Sequence, residues 1–258
     1  RTTRRLALTP TGERLHADLR GILAALDDAE RRVSGASAIA SGPLRITAPT
    51  SFGRMHVAPY LERFLAAHPR VEVQIDLSDD YTDLIESRAD LAIRITAVPG
   101  LGLSAYRLAT NRRILCAAPA YLERFGTPET IADLKRHRLL AANGQLPWRL
   151  TGPHKPVTVE GVSHVRTNSS EVARELALAG AGIALRSLWD IAGPLARGDV
   201  RQILPAHEGL ADVGLYAMSL PQPHPPRAIT AFVDFLVGLY APTPPWERSG
   251  IAPDAQAF

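Results

Sequence analysis

A succession of apolar patterns between Pro43 and Ile95 limits this chain to a small set of folds. "PLRITAP" reads as a strand, "FGRMHVAPYLERFLAAHP" as a helix with Pro59 near its first turn, and "VEVQIDL" as an alternating strand. "DYTDLIESRA" follows as a short helix and "DLAIRI" as a mostly apolar strand, expected to be buried on both faces. Strand, helix, strand, helix, strand predicts a parallel sheet with crossover helices, since parallel neighbours need a long connection to bring the chain back.

From about Leu103 the pattern starts again. "LSAYRLA" and "RRILCAAP" read as strands, "AYLERFG" and "TPETIADLKRH" as short helices, and "RLLAAN", "WRLTG" and "VTVEGVSHVRT" as strands. "SSEVARELALAGAG" is then a helix, "IALRS" a strand, "LWDIAGPLARG" a helix, "VRQIL" and "VGLYAMSL" strands, and "PPRAITAFVDFLVGLY" a last helix. The expected architecture is α/β in two lobes. Residues 241–258, rich in proline and turn formers, are expected to form a flexible tail.

A different pattern precedes the lobes. Thr9 is placed to cap a helix with Pro10 at its first position, where a missing N–H costs nothing. Leu15, Leu19, Ile22, Leu26, Ala29 and Val33 then fall at spacings of four, three, four, three and four, a heptad seam. Such a stripe covers its own core or clasps a partner; its narrowness and the flanking Arg14, Arg20, Asp27, Glu30 and Arg31 favour a projecting helix that dimerises. Residues 10–34 would span nearly 40 Å at about 1.5 Å per residue. The small, Gly-bounded "SGASAIASG" after it reads as a hinge over residues 35–42.

Composition narrows the chemistry. The 258 residues, 46% of them apolar, suffice for one or two cores. With 29 Lys+Arg against 26 Asp+Glu, the net charge of +3 gives at most mild attraction to polyanions. Arg1, Arg4 and Arg5 form the one local cluster, at an opening without an initiator Met that reads as the cut edge of something larger. The single cysteine, Cys116, excludes an intramolecular disulfide and fits a reducing, cytoplasmic setting, and no stretch reads as a signal peptide or membrane span. Neither HExxH, GxSxG, a Walker-type loop nor paired metal-ligating cysteines occur, and the eight histidines lack ligand spacing, so no catalytic residue, metal or cofactor is expected. Cys116 lies in an apolar strand and reads as a small hydrophobe, while Gly180 and Gly182 read as a helix stop and a tight turn.

Ligand sites in such sheets lie beyond the carboxyl ends of strands, between lobes. "APTSFG" follows a strand and opens a helix, offering Thr50 and Ser51, and "RTNSSE" offers Asn168, Ser169 and Ser170 in the second lobe. Each alone is an ordinary helix start, but one per lobe points to a shared anion. Arg94, ending "DLAIRI", is placed either to grip a carboxylate or to pair with Asp90 or Asp79. Asn143 and Trp148 would line the same opening, although Trp148 also suits simple packing.

Together these residues resemble the LysR-type transcriptional regulators. "RTTRRLALTPTGERL" is similar to the end of that family's winged helix-turn-helix and the start of its linker helix. "GPLRITAPTSFGRMHVAPYLERFLAAHPRVEVQIDL", "DLAIRI", "CAAPAYLERFGTPETIADLKRH" and "ELALAGAGIAL" match its effector-binding region in order and spacing. The resemblance implies a two-lobed fold like the type 2 periplasmic binding proteins, with residues 1–9 as a wing remnant, lobe I over 42–110 plus 218–240, and lobe II over 111–217. It implies dimers through Leu15, Leu19, Ile22, Leu26 and Val33, tetramers through the effector domains, operator DNA bound through an N-terminal domain, and RNA polymerase as an open further partner. By motif position a small, anionic co-inducer would meet Thr50, Ser51, Phe52, Arg94, Asn168 and Ser169. Arg186 departs from the usual pattern, since "IALRS" carries Arg186 and Ser187 where many relatives have an apolar residue and proline, and it would add a cation to the cleft. Arg1, Arg4 and Arg5 would touch DNA phosphates in the intact protein, contacts that position rather than specify. The rival readings are a solute-binding protein for a small organic anion, which would need export and no dimerising arm, and an enzyme using the cleft.

Overall fold

The computed structural model describes residues 39–79, 88–100 and 102–248, together with Thr9, Thr11, Gly12, Leu15, Leu19, Ile22 and Leu84. The first lobe is built on strands β1 (Gly42–Ala48), β2 (Val71–Leu77), β3 (Leu91–Thr96), β4 (Ser104–Thr110) and β11 (Gly214–Ser219), in the order β2-β1-β3-β11-β4. β1 is parallel to β2 and to β3, as the sequence pattern predicts; β11 is antiparallel to both β3 and β4, so the sheet is mixed. The chain therefore re-enters the first lobe at Gly214, four residues before the expected boundary at 218. β3 sits centrally and buries Leu91, Ala92, Ile93 and Arg94, in keeping with its uninterrupted apolar run.

Pro49 turns β1 into α1 (Thr50–Phe52), which continues through a π-helical turn at Gly53–Val57 and a 3-10 turn at Ala58–Tyr60 into α2 (Leu61–Ala67). The irregularity has a cause in Pro59, which has no N–H to donate and disfavours helical geometry in the residue before it. Gly53 lets this segment lie against β2: a Cβ there would sit 2.3 Å from Leu77 Cδ2. A late helix (Arg227–Tyr240) returns to the same lobe and packs Phe232 edge-on against Phe64, ring centroids 4.9 Å apart, over Leu44, Ile46 and Leu215.

The second lobe holds β5 (Arg113–Ala117), β6 (Leu139–Leu140), β9 (Ile183–Ser187) and β10 (Arg201–Gln202) in the order β10-β5-β9-β6, with a small hairpin of β7 (Trp148–Leu150) and β8 (Val157–Val159). Its helices are α3 (Pro119–Phe125), α4 (Ser170–Leu178) and α5 (Leu188–Arg197), which makes the late helix α6. Several expectations are shortened: "RLLAAN" is a strand only over Leu139–Leu140 and "VRQIL" only over Arg201–Gln202. "TPETIADLKRH" is a 3-10 helix over Ile131–Arg136 opened by a Thr130/Asp133 capping box, and "VTVEGVSHVRT" is a strand only as far as Val159. Gly180 ends the α4 turn at φ +76°, and Gly182 brings β9 so close to β6 that a Cβ would lie 2.4 Å from the Arg138 carbonyl.

Two crossover segments join the lobes and pair with each other. Asn111 N–H donates to the Val213 carbonyl at 3.0 Å, Gly209 N–H to the Arg113 carbonyl at 2.8 Å, and Arg112 makes two hydrogen bonds to Glu208 of 2.8 and 2.7 Å.

Two further sequence expectations meet the structure here. The C-terminal segment is not a flexible tail through residue 248: Pro245–Glu247 forms a 3-10 turn and Trp246 packs against both the first-lobe core and the cluster of Ile114, Leu188 and Ile191 beneath α5. In the arm, Gly12 N–H donates to Thr9 Oγ1 at 3.1 Å, the N-cap bond expected of Thr9, and Leu15, Leu19 and Ile22 are helical and 59%, 47% and 62% exposed. Pro10, Leu26, Ala29, Val33, Arg1, Arg4, Arg5 and most of "DYTDLIESRA" lie outside the described residues.

Candidate effector site

Between the two sheets lies a cleft of about 550 Å³ lined from both lobes. Of the residues expected there, Ser51 and Arg94 line it from the first lobe and Asn143, Asn168 and Arg186 from the second, with Trp148 at its edge. The structure thus brings together five side chains that lie as much as 135 positions apart, from Ser51 to Arg186.

The others fall elsewhere. Phe52 is fully buried and faces the core, where its ring stands 5.2 Å from His56, 5.3 Å from Trp189 and 5.9 Å from Trp246. One residue after Ser51, it points to the opposite side of its turn. Thr50 contributes its N–H to Asp79 Oδ1 at 2.9 Å, so a side chain of the protein already holds that backbone donor. Ser169 caps α4, its Oγ accepting from Val172 N–H at 3.5 Å, and Ser170 rather than Ser169 reaches the cleft.

The guanidinium groups in the cleft differ in what already holds them. Arg186 donates from Nε to Asp190 Oδ2 at 2.7 Å, makes a second, shorter bond to the same oxygen, and reaches the Ser170 carbonyl and hydroxyl at 3.0 and 2.9 Å. Burial raises the Asp190 carboxyl pKa against the pull of Arg186, yet the pair remains enclosed, with side-chain exposures of 0% and 5%. The cation expected at Arg186 is therefore balanced inside the lobe. Arg94 donates to the Ile93 carbonyl at 3.1 Å and to Thr47 Oγ1 at 3.5 Å.

Arg113, at the start of β5, was not singled out by the sequence. It lines the cleft, its Nε is buried without a hydrogen-bond partner, and burial lowers its pKa despite the nearby charge of Asp212. Ser51 Oγ, on the opposite lobe, is likewise buried and unpaired. Unsatisfied buried polar atoms are uncommon because each forfeits its hydration, and two in one cleft mark a place built for something else to complete. "RRILC" offered a faint signal: two arginines open a strand whose remaining residues are all buried, so one of them has to face inward.

Neither the cysteine nor His56 is among the residues that line the cleft. Cys116 is fully buried, with its thiol pushed up to about 12 by desolvation, and His56 is sealed in the aromatic cluster with its pKa lowered to about 4. Among the described residues no cluster of His, Cys, Asp and Glu could hold a metal ion, and no helix is long and apolar enough to cross a membrane.

Known proteins place this geometry. Residues 38–240 match the LysR substrate binding domain. The chain is 34% identical over 217 residues to the HTH-type transcriptional regulator DmlR of Escherichia coli (strain K12), covering 83% of this chain and 71% of the relative. To the HTH-type transcriptional activator TtdR of the same strain it is 33% identical over 218 residues, covering 83% and 70%. Among solved structures, the full-length Vibrio cholerae virulence activator AphB aligns with a TM-score of 0.70 at 26% identity, covering 92% of this chain and 82% of that one. CrgA of Neisseria meningitidis, a LysR-type transcriptional regulator, aligns at 0.68 and 26%, with the same coverage. The relatives are regulators, which sets aside the enzyme and solute-binding readings. The two-lobed, periplasmic-binding-protein-like domain with its interlobe cleft is that of a transcription factor, and the chain belongs to the LysR family.

Proposed function

We propose that the cleft senses a small organic anion and that its occupancy resets the arrangement of the arms that carry DNA-binding domains. The observation behind this reading is the pair of buried, unpartnered polar atoms, Ser51 Oγ and Arg113 Nε, facing one cleft from opposite lobes. A ligand that satisfies both binds the lobes in one mutual arrangement more tightly than in others, and only that difference in affinity shifts a population. A carboxylate suits the donors available: the Ser51 hydroxyl, the amides of Asn143 and Asn168, and guanidinium groups at Arg94 and Arg113.

The arm completes the mechanism. Leu15, Leu19 and Ile22, exposed on the single chain, form with Leu26 and Val33 the seam through which two copies pair. Operator DNA is the output partner, through the winged helix-turn-helix of the family, with Arg1, Arg4 and Arg5 at phosphates; RNA polymerase contact and a cytoplasmic location belong to the same reading.

The test is a thermal-shift series with small carboxylates at constant ionic strength. A carboxylate that raises the melting temperature of the wild-type chain should lose most of that effect in the double variant Ser51→Ala, Asn168→Ala. An undiminished rise in the double variant removes both residues from the site.

A further inference from the structure

Arg113 does more in this structure than line a wall. Its strand begins directly after the first crossover between lobes, and its carbonyl accepts the N–H of Gly209 on the returning crossover at 2.8 Å. The side chain lies across that same glycine: a Cβ on Gly209 would stand 2.7 Å from Arg113 Nε, 2.9 Å from its Cβ and 3.1 Å from its Cζ. No side chain other than hydrogen leaves room for the guanidinium there. Gly209 does not have the left-handed φ that would by itself require glycine, so space and not backbone geometry is what its missing side chain supplies.

The neighbouring arginine shows the contrast. Arg112, one position earlier, is half-exposed and clamped by both oxygens of Glu208, which raises its pKa. Arg186 has Asp190. Arg113 is turned inward with Nε buried, with Asp212 near enough to be felt but not hydrogen-bonded to it. Arg113 is only partly buried, but a guanidinium whose Nε is enclosed without a hydrogen-bond partner and whose charge has no bonded counter-ion costs the fold some stability. An arrangement that keeps such a group, and leaves a glycine beneath it, is accounted for if an anion completes it.

On the reading given above, that the cleft binds a small organic anion, we infer that Arg113 is the receptor for the ligand's negative charge and that Gly209 is its positioning residue, so the charge is read at the pivot of the two lobes. Arg94 and Arg186 already have partners within the protein and contribute shape and field. Because Arg113 and Gly209 sit on the two paired crossovers, drawing the guanidinium toward a bound anion acts on the hinge itself. An adjustment there is amplified at the far edges of the lobes.

The experiment compares wild type with Arg113→Met, Gly209→Ala and the double variant, using the full chain. Two readouts are taken: the melting temperature without added ligand, and its rise with sodium acetate or succinate over sodium chloride at matched ionic strength. Methionine fills the space without charge, so Arg113→Met should melt about 2 to 4 °C higher than wild type in the absence of anion, the shift expected when about one kcal/mol of burial penalty is relieved in a chain of this size. It should also lose the anion-dependent rise. Gly209→Ala, which displaces the guanidinium, should lose that rise too, and the double variant should lose no more than either single one. A lower melting temperature for Arg113→Met assigns the residue a purely structural role and overturns the inference, as does an anion response that survives in it. If no anion stabilises wild type while Arg113→Met still melts higher, the anion-sensing reading of the cleft fails and the inference falls with it. A response lost in Ser51→Ala, Asn168→Ala but kept in Arg113→Met upholds the cleft and refutes Arg113 alone.

Discussion

At the scale of single residues, burial decides which titratable groups take part in function. His56 donates its Nε2–H to the Trp189 carbonyl at 2.8 Å and is walled by the rings of Phe52, Trp189 and Trp246, with no carboxylate among these contacts to stabilise its charge. Desolvation lowers its pKa from 6.5 to about 4. In the unfolded chain the imidazole takes up a proton near pH 6.5, whereas in the folded protein it resists until about 4, so stability falls as pH drops through that window and the loss is complete below it. The window corresponds to roughly 3 kcal/mol at about 1.4 kcal/mol per unit. Urea unfolding at pH 7 and pH 5 should show the wild-type midpoint falling, and His56→Phe should flatten the part of that fall due to this residue; an identical slope in the variant assigns the pH dependence elsewhere. Ser51, Arg94, Asn143 and Asn168 were legible from sequence because helix starts and strand ends can be placed by local rules. Arg113 was not, because only the fold decides which of two adjacent arginines turns inward.

At the scale of elements, the alternation of periods located nearly every strand and helix of the two lobes, including the crowded turn at Gly180 and Gly182. Where the reading failed, long-range packing overrode composition. "APTPPWERSG" has the proline content of a loose end, yet Trp246 settles against Phe52, His56 and Tyr240 at 5.9, 4.6 and 5.2 Å, joining the first-lobe core to the cluster under α5. Proline-rich turns deliver such a ring at low entropic cost, because little backbone freedom remains to be lost. Trp246→Ala should therefore destabilise the chain by about 2 kcal/mol, somewhat less than for a fully buried tryptophan. Chemical denaturation reads this directly, and a change within about 0.5 kcal/mol, typical of an exposed position, would return the segment to the status of a tail.

At the scale of the whole molecule, the two lobes meet at the paired crossovers, at the aromatic cluster of Phe52, His56, Trp189 and Trp246, and at the Arg54–Glu171 ion pair of 2.8 Å between the first lobe and the first turn of α4. On the proposed reading the arm pairs two copies of the chain. With Leu15, Leu19 and Ile22 exposed on one chain, replacing Leu19 and Ile22 by Asp should reduce the mass seen by light scattering, and a chain beginning at Gly42 should do the same. Unchanged masses in both would remove the arm from the interface.

The sequence by itself determined the kind of elements, their order and the division into two lobes, because these follow from periodicity, caps and turn residues that act over a few positions, while the family was legible through the resemblance of its motifs in order and spacing. Tertiary structure alone decided that β11 closes the first sheet from Gly214, that Phe52 turns to the core while Ser51 faces the cleft, that Asp190 holds Arg186, and that Arg113 lies over Gly209 with its Nε unpartnered. The physical reason is that partnership and burial are set by residues distant in the chain, and a charge acquires its role from whichever groups the fold places beside it.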